Sequence, residues 1–166
     1  SSADQRLLRQ IVLGVLRHQS RLDSFIRPHV KKSLEMLDSS VLTAIRVGVF
    51  QVRILERVPA HAGVSTTVEA YKLLYGRKAT GFVNGVLRSC LRAAQATESV
   101  VETVESLSQC FSQPNWLVRS WTEQLGFEAT RALCEANNQP APLTIRPQVQ
   151  MSRADLVGQL EAEGAT

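Results

Sequence analysis

Residues 76–88 read GRKATGFVNGVLR, with two glycines spaced as in a phosphate-cradling loop. Such a loop needs lysine and then serine or threonine directly after the second glycine. The ammonium must reach the terminal phosphates, and the hydroxyl must meet the magnesium ion. Gly76 and Gly81 have the spacing, but Phe82 and Val83 stand in those two places. The preceding EAYKLLYG reads as helix, so the strand that should lead into the loop is missing as well. The stretch does not make a phosphate-loop nucleotide site. It does set Arg77 and Lys78 just ahead of a helix start, where free backbone N–H groups and the helix dipole favour a phosphate. Arg88 and Arg92 continue along that helix, stacked four apart with Asn84.

Other chemistry is poorly supplied. His18, His29 and His61 have no carboxylate or cysteine at catalytic spacing, and no G-x-S-x-G, H-E-x-x-H or G-x-G-x-x-G occurs. Cys90, Cys110 and Cys134 are too far apart for a zinc site or a disulfide framework, and none sits beside a group that would draw out its thiolate. They read as free thiols of a reducing compartment. No catalytic residue, metal site or cofactor site is expected within these residues.

The charge is uneven. Residues 1–95 carry 15 Lys/Arg against 6 Asp/Glu, a balance of +9, whereas residues 96–166 carry 4 against 9, a balance of −5. That asymmetry points to a polyanionic partner for the first half. Aromatic residues are only 5% of the chain, too few for a stacking platform along a single strand, so contact through arginine and lysine to phosphate is the more natural mode. The candidate contacts are Arg77, Lys78, Arg88 and Arg92, then Arg6, Arg9 and Arg17 on the first helix, with Lys31 and Lys32 as a further dibasic pair. No apolar run approaches the roughly 20 residues of a membrane span, and the start lacks a signal-peptide pattern. A cytoplasmic protein with no membrane contact is expected.

The elements that must position these side chains are helices. DQRLLRQIVLGVLRHQ places Leu7, Leu8, Ile11, Val12, Val15 and Leu16 on one stripe, with the three arginines outside it. RLDSFIRPHVKKSLEML is a shorter helical stretch that Pro28 should divide. In SSVLTAIRVGVFQVRILERV, Leu42, Ile45, Val49 and Val52 should face inward and Arg46, Arg53 and Arg57 outward. Pro59 breaks the chain, and a fourth helix should end at Gly76. The fifth begins near Ala79, burying Phe82, Val83, Val86, Leu87, Cys90 and Leu91. Gly81 and Gly85 each cost it about 1 kcal/mol relative to alanine, so a close helix–helix approach is expected there. Residues 96–112 read as a connector. QPNWLVRSWTEQLG and FEATRALCEANN are two more helices, LTIR is β-prone, and SRADLVGQLEAEG opens with a serine cap.

At residues 57–88, RVPAHAGVSTTVEAYKLLYGRKATGFVNGVLR resembles the NusB family. With LDSSVLTAIRVGVFQV before it, and QPNWLVRSWTEQLG, EANNQPAPLTIRP and SRADLVGQLEAEG after it, the chain more closely resembles the RsmB (Sun, Fmu) family of bacterial ribosomal RNA 5-cytosine methyltransferases, over roughly residues 4–164. The family's usual Asn-Glu-like pair is here Ser65 and Thr66, and its Leu-Arg-Val-Asn strand is here Ile145, Arg146, Pro147, Gln148. The resemblance implies an all-α NusB-like bundle that binds small-subunit ribosomal RNA. It also implies a separate catalytic domain using S-adenosylmethionine, in which one cysteine attacks the cytosine ring and a second helps release the product. The Pro-Cys and Thr-Cys motifs of that chemistry do not occur here, so the resemblance places it beyond residue 166.

The expected organisation is a NusB-like RNA-binding bundle over 1–95, a connector over 96–112, and over 113–166 the start of an α/β linking domain with a short strand. The expected partners are ribosomal RNA and the catalytic domain of the same protein, not DNA. Two rivals stay open: a stand-alone NusB-type antitermination factor, and a protein-binding helical module whose basic face meets an acidic partner or other parts of its own enzyme.

Overall fold

A computed structural model describes residues 2–55, 58–93, 101–139, 144–147 and 150–164. Helices α1 (Ser2–Arg17) and α2 (Gln19–Ile26) follow each other almost without a break, and the chain then tightens into a single 3₁₀ turn over Arg27–His29. Pro28 sits inside that turn, and its missing N–H ends the α-helical ladder as expected. A second such turn, Leu34–Met36, leads to α3 (Ser39–Arg53). Asp38 caps α3 by accepting from the Ser40 N–H at 2.8 Å. Helix α4 (Ala60–Tyr75) stops at Gly76, whose φ of 80° is open to glycine at little cost, and α5 (Thr80–Ala93) follows.

Helices α3, α4 and α5 pack mutually, with α1 and α2 laid against α3. The core is aliphatic: Leu22 and Ile26 from α2, Ile45 and Val49 from α3, Val64 from α4, and Val83, Val86 and Leu87 from α5 are buried. Leu42, Val52 and Leu91 pack around it, half-buried.

Three expectations about faces need correcting. The stripe of α1 is largely uncovered: Ile11 and Val15 pack on the core, but Leu8 is 63% and Leu16 66% exposed, and Leu7 and Val12 are also exposed. A stripe predicts a face, not what covers it, and α1 has only α2 and α3 as principal neighbours. Phe82 is 43% exposed although its neighbour Val83 is fully buried, so it stands at the flank of the face that Val83, Val86, Leu87 and Cys90 bury. Gly81 and Gly85 meet no close neighbour, whereas a Cβ on Gly48 would lie 2.5 Å from Leu87 Cδ2, and one on Gly14 would overlap the Phe50 ring. The close approaches are therefore α3 to α5 and α1 to α3, made by other glycines.

Part of the expected connector is folded. Helix α6 (Val104–Phe111) starts in a reciprocal cap: Thr103 Oγ1 accepts from the Ser106 N–H at 3.1 Å, and Ser106 Oγ accepts from the Thr103 N–H at 3.0 Å. It packs with α7 (Asn115–Leu125) and α8 (Phe127–Asn138) around buried Leu107, Val118 and Cys134. Residues 96–100 of the expected connector lie outside the described residues. Helix α6 also rests on α2, where the Arg21 N–H donates to Ser112 Oγ at 2.9 Å. Ser112 holds the left-handed conformation at φ 53°. Gly126, at φ 81°, ends α7 as expected, and Asn138 Nδ2 donates to the Phe111 carbonyl at 2.9 Å. Helix α9 (Arg153–Ala162) has its serine cap, Ser152 Oγ accepting from the Asp155 N–H at 3.1 Å, but buries no residue fully.

The architecture is the expected all-α bundle followed by further helices. The expected short strand is not formed among the described residues: 144–147 carry no regular structure, and 141–143 and 148–149 lie outside them. A strand exists only in a ladder, and the described elements are all helical.

Candidate functional site

Helix α5 carries two groups of cations near its two ends. Arg77 and Lys78 are exposed in the turn before it, and its first turn holds no acidic residue. Thr80 closes that turn, its hydroxyl donating to the Gly76 carbonyl at 3.0 Å. Arg88 and Arg92 lie about 12 and 18 Å further along at the helical rise of 1.5 Å per residue. That exceeds a Debye length of about 8–10 Å, so in physiological salt the two groups act as separate sites.

Arg88 and Arg92 are held from within their own helix. Arg88 Nε donates to Asn84 Oδ1 at 3.1 Å, and Arg92 Nη2 donates to Ser89 Oγ at 3.0 Å. They form one wall of an open groove of about 570 Å³ between α5 and α4. His61, Ser65 and Glu69 of α4 stand opposite, and Val64, Val68 and Leu91 give the groove an apolar lining. The α4 wall was not legible in the sequence. Asn84, a polar residue in an apolar run, marks only the α5 side of the groove.

Arg6, Arg9 and Arg17 are exposed on α1, which rests chiefly on α3 and α2 rather than on the helices that form the groove. The structure thus brings Arg88 and Arg92 together, sets Arg77 and Lys78 at the other end of the same helix, and leaves the α1 arginines on a different helix. Among the described residues none of these seven is in an ion pair; the pairs are Arg27–Glu35, Arg46–Asp23, Lys72–Glu69 and Arg119–Glu105.

Two arginines expected on the outer side of α3 do other work. Arg46 Nε and Nη2 each donate to an Asp23 carboxylate oxygen at 2.8 Å, pinning α3 to α2 in a bidentate, mostly buried pair. The Arg53 guanidinium lies 4.3 Å and that of Arg21 5.7 Å from the Phe25 ring centre, within cation–π range. Burial holds Arg53 below its ordinary pKa, and the Arg21 charge adds to the effect. Arg57 lies outside the described residues.

Two of the three cysteines are held in the protonated form by their surroundings. Burial pushes the Cys90 thiol up to about 11, and it also raises Cys134. His18 stacks on Phe50 with ring centres 6.3 Å apart; burial first, then Arg21 and Arg17, hold its pKa down. No cluster of His, Cys, Asp and Glu among the described residues could hold a metal ion, and no described helix is long and apolar enough to cross a membrane.

Comparison with known proteins agrees with the resemblance seen in the sequence. Residues 113–166 match the ferredoxin-like domain of RsmF/B-like methyltransferases. A Bacillus subtilis protein named probable ribosomal RNA small subunit methyltransferase B is 32% identical over 166 residues, covering 99% of this chain and 37% of that protein. The ribosomal RNA small subunit methyltransferase B of Vibrio cholerae is 32% identical over 162 residues, 97% of this chain and 36% of that protein. The chain therefore spans about a third of the length of these relatives. The NusB family matches residues 1–92, more than half of the chain and all five helices of the first bundle, and to that family this protein belongs.

Proposed function

We propose that this chain is the RNA-docking part of a small-subunit ribosomal RNA cytosine-C5 methyltransferase. The observation that carries the reading is the set of exposed cations that, among the described residues, form no ion pair on a NusB-family bundle. It is supported by relatives named as ribosomal RNA methyltransferases that match on both sides of residue 100. Phosphate contacts of this kind position an RNA without reading its sequence. Arg77 and Lys78 flank the positive end of α5, Arg88 and Arg92 continue the track, and Arg6, Arg9 and Arg17 extend contact along α1. The methyl donor, S-adenosylmethionine, and the cysteines that attack cytosine belong in this reading to a catalytic domain outside these residues. The division proposed is a docking bundle over 1–95 and a linking region over 113–166; the expected connector, 96–112, contains α6, which packs with α7 and α8 and joins the linking region in this reading.

The test is the salt dependence of binding to fragments of small-subunit ribosomal RNA, followed by fluorescence anisotropy. Each phosphate contact to single-stranded RNA contributes about 0.7 to the slope of log affinity against log salt. Arg77→Ala with Lys78→Ala should lower that slope by roughly 1.4. An unchanged slope removes these two residues from the interface. An absence of RNA binding, with binding to an acidic protein instead, overturns the reading.

A further inference from the structure

We propose that the groove between α4 and α5 takes one unpaired nucleotide of a single-stranded RNA segment, base included, rather than a bare phosphate. The proposal rests on the RNA-docking reading and specifies what that surface selects. A site for phosphate alone wants converging donors and no opposing negative charge. This groove instead sets Arg88 and Arg92 on one side and the Glu69 carboxylate with the Ser65 hydroxyl on the other. Glu69, whose carboxylate also pairs with Lys72 at 3.5 Å, adds no donor for an anion but can still accept from an exocyclic amino group or an imino N–H of a base. The ligand that satisfies both walls carries its anion at one end and hydrogen-bonding edges at the other. A nucleotide has that form.

The lining between the walls fits the same ligand. Val64, Val68 and Leu91 offer apolar surface to a base plane, and guanidinium groups also stack on bases. At about 570 Å³ the groove falls within the usual 300–1,000 Å³ of a small-molecule site. Its arginines are already oriented, since Asn84 and Ser89 hold them at 3.1 and 3.0 Å, so less side-chain freedom is lost on binding. A base held within a duplex presents no free face or Watson–Crick edge to such a groove. Selection of unpaired RNA follows from that.

Two measurements test this. First, Ser65→Trp fills the groove from an exposed position of α4, without changing charge and without touching the core. It should weaken binding of a single-stranded RNA 12-mer about tenfold while leaving the affinity for a 12-base-pair duplex unchanged, with an unaltered melting temperature. Second, the unmodified chain titrated with adenosine or cytidine 5′-monophosphate should show amide shifts on both walls, at Ser65 and Glu69 as well as at Arg88. Inorganic phosphate at the same concentration should move only the α5 wall. Single-strand affinity untouched by Ser65→Trp, or lost equally for single strand and duplex, would overturn the groove proposal while the docking reading stands. Equal shifts from phosphate and nucleotide on both walls would overturn it too, and need no variant. If the unmodified chain binds neither RNA, the docking reading falls and the groove proposal with it.

Discussion

Helices α1 and α5 look alike as sequence and differ as structure. Each carries an aliphatic stripe at helical spacing and arginines off that stripe. Helix α5 is clasped by α3 and α4 and buries Val83, Val86, Leu87 and Cys90 to 4% exposure or less. Helix α1 leaves Leu7, Leu8, Val12, Leu13 and Leu16 at 43–66%. Periodicity reports that a face is apolar; only neighbours decide whether it contributes to stability. Burying a leucine fully is worth about 1.5–3 kcal/mol, so the same residue type carries very different weight on the two helices.

The largest effect should come from Leu87→Ala. It empties space at the centre of the α3–α4–α5 packing and should cost about 2–5 kcal/mol in chemical denaturation. Gly48→Ala comes next. Its new methyl would meet Leu87 directly, and overpacking of this kind costs about 1–3 kcal/mol. A smaller cost at Gly48 would mean that α3 and α5 can separate slightly, which would weaken the contrast with α1.

Cys90 tests the same core by pH. Its folded pKa is raised by burial to about 11, above the ordinary 9.0. Below pH 9 the thiol is protonated whether the chain is folded or not, and its contribution is intact. As pH climbs from about 9 through about 11 the unfolded chain ionises this thiol first, so the fold loses stability. Thermal melts across that range should show the loss in the unmodified chain and a shallower slope in Cys90→Ala. Parallel slopes would mean that this thiol is less buried than the packing shows.

Gly85→Ala should act in the opposite direction. Nothing lies within 4 Å of the added methyl, so removing a helix-interior glycine should stabilise by up to about 1 kcal/mol. Leu8→Ala on α1 should change stability by no more than about 0.5 kcal/mol. A larger loss there would show that the stripe of α1 is covered in solution and would erase the comparison.

Much of the fold was legible in the sequence because helix punctuation is local. Pro28, Pro59, Gly76 and Gly126 act through their own backbone, and each stands where a helix ends or starts. What escaped was pairwise. That Gly48 rather than Gly85 makes the close approach depends on Leu87, 39 positions away along the chain. That Arg46 faces Asp23 rather than water depends on α2 lying alongside α3. The reciprocal cap of α6 was local, yet its acidic, Ser/Thr-rich composition masked it. The site divided in the same way. Arg88 and Arg92 announced themselves by spacing, but His61, Ser65 and Glu69 became part of the groove only once α4 lay against α5.

Ser112 adds a polar tie where α6 rests on α2: its hydroxyl receives the Arg21 amide proton while its own backbone makes the left-handed bend after α6. Glycine at this position would preserve the bend and delete the hydrogen bond. One substitution therefore slackens the polar tie while the α2–α6 packing and both sets of helices stay in place.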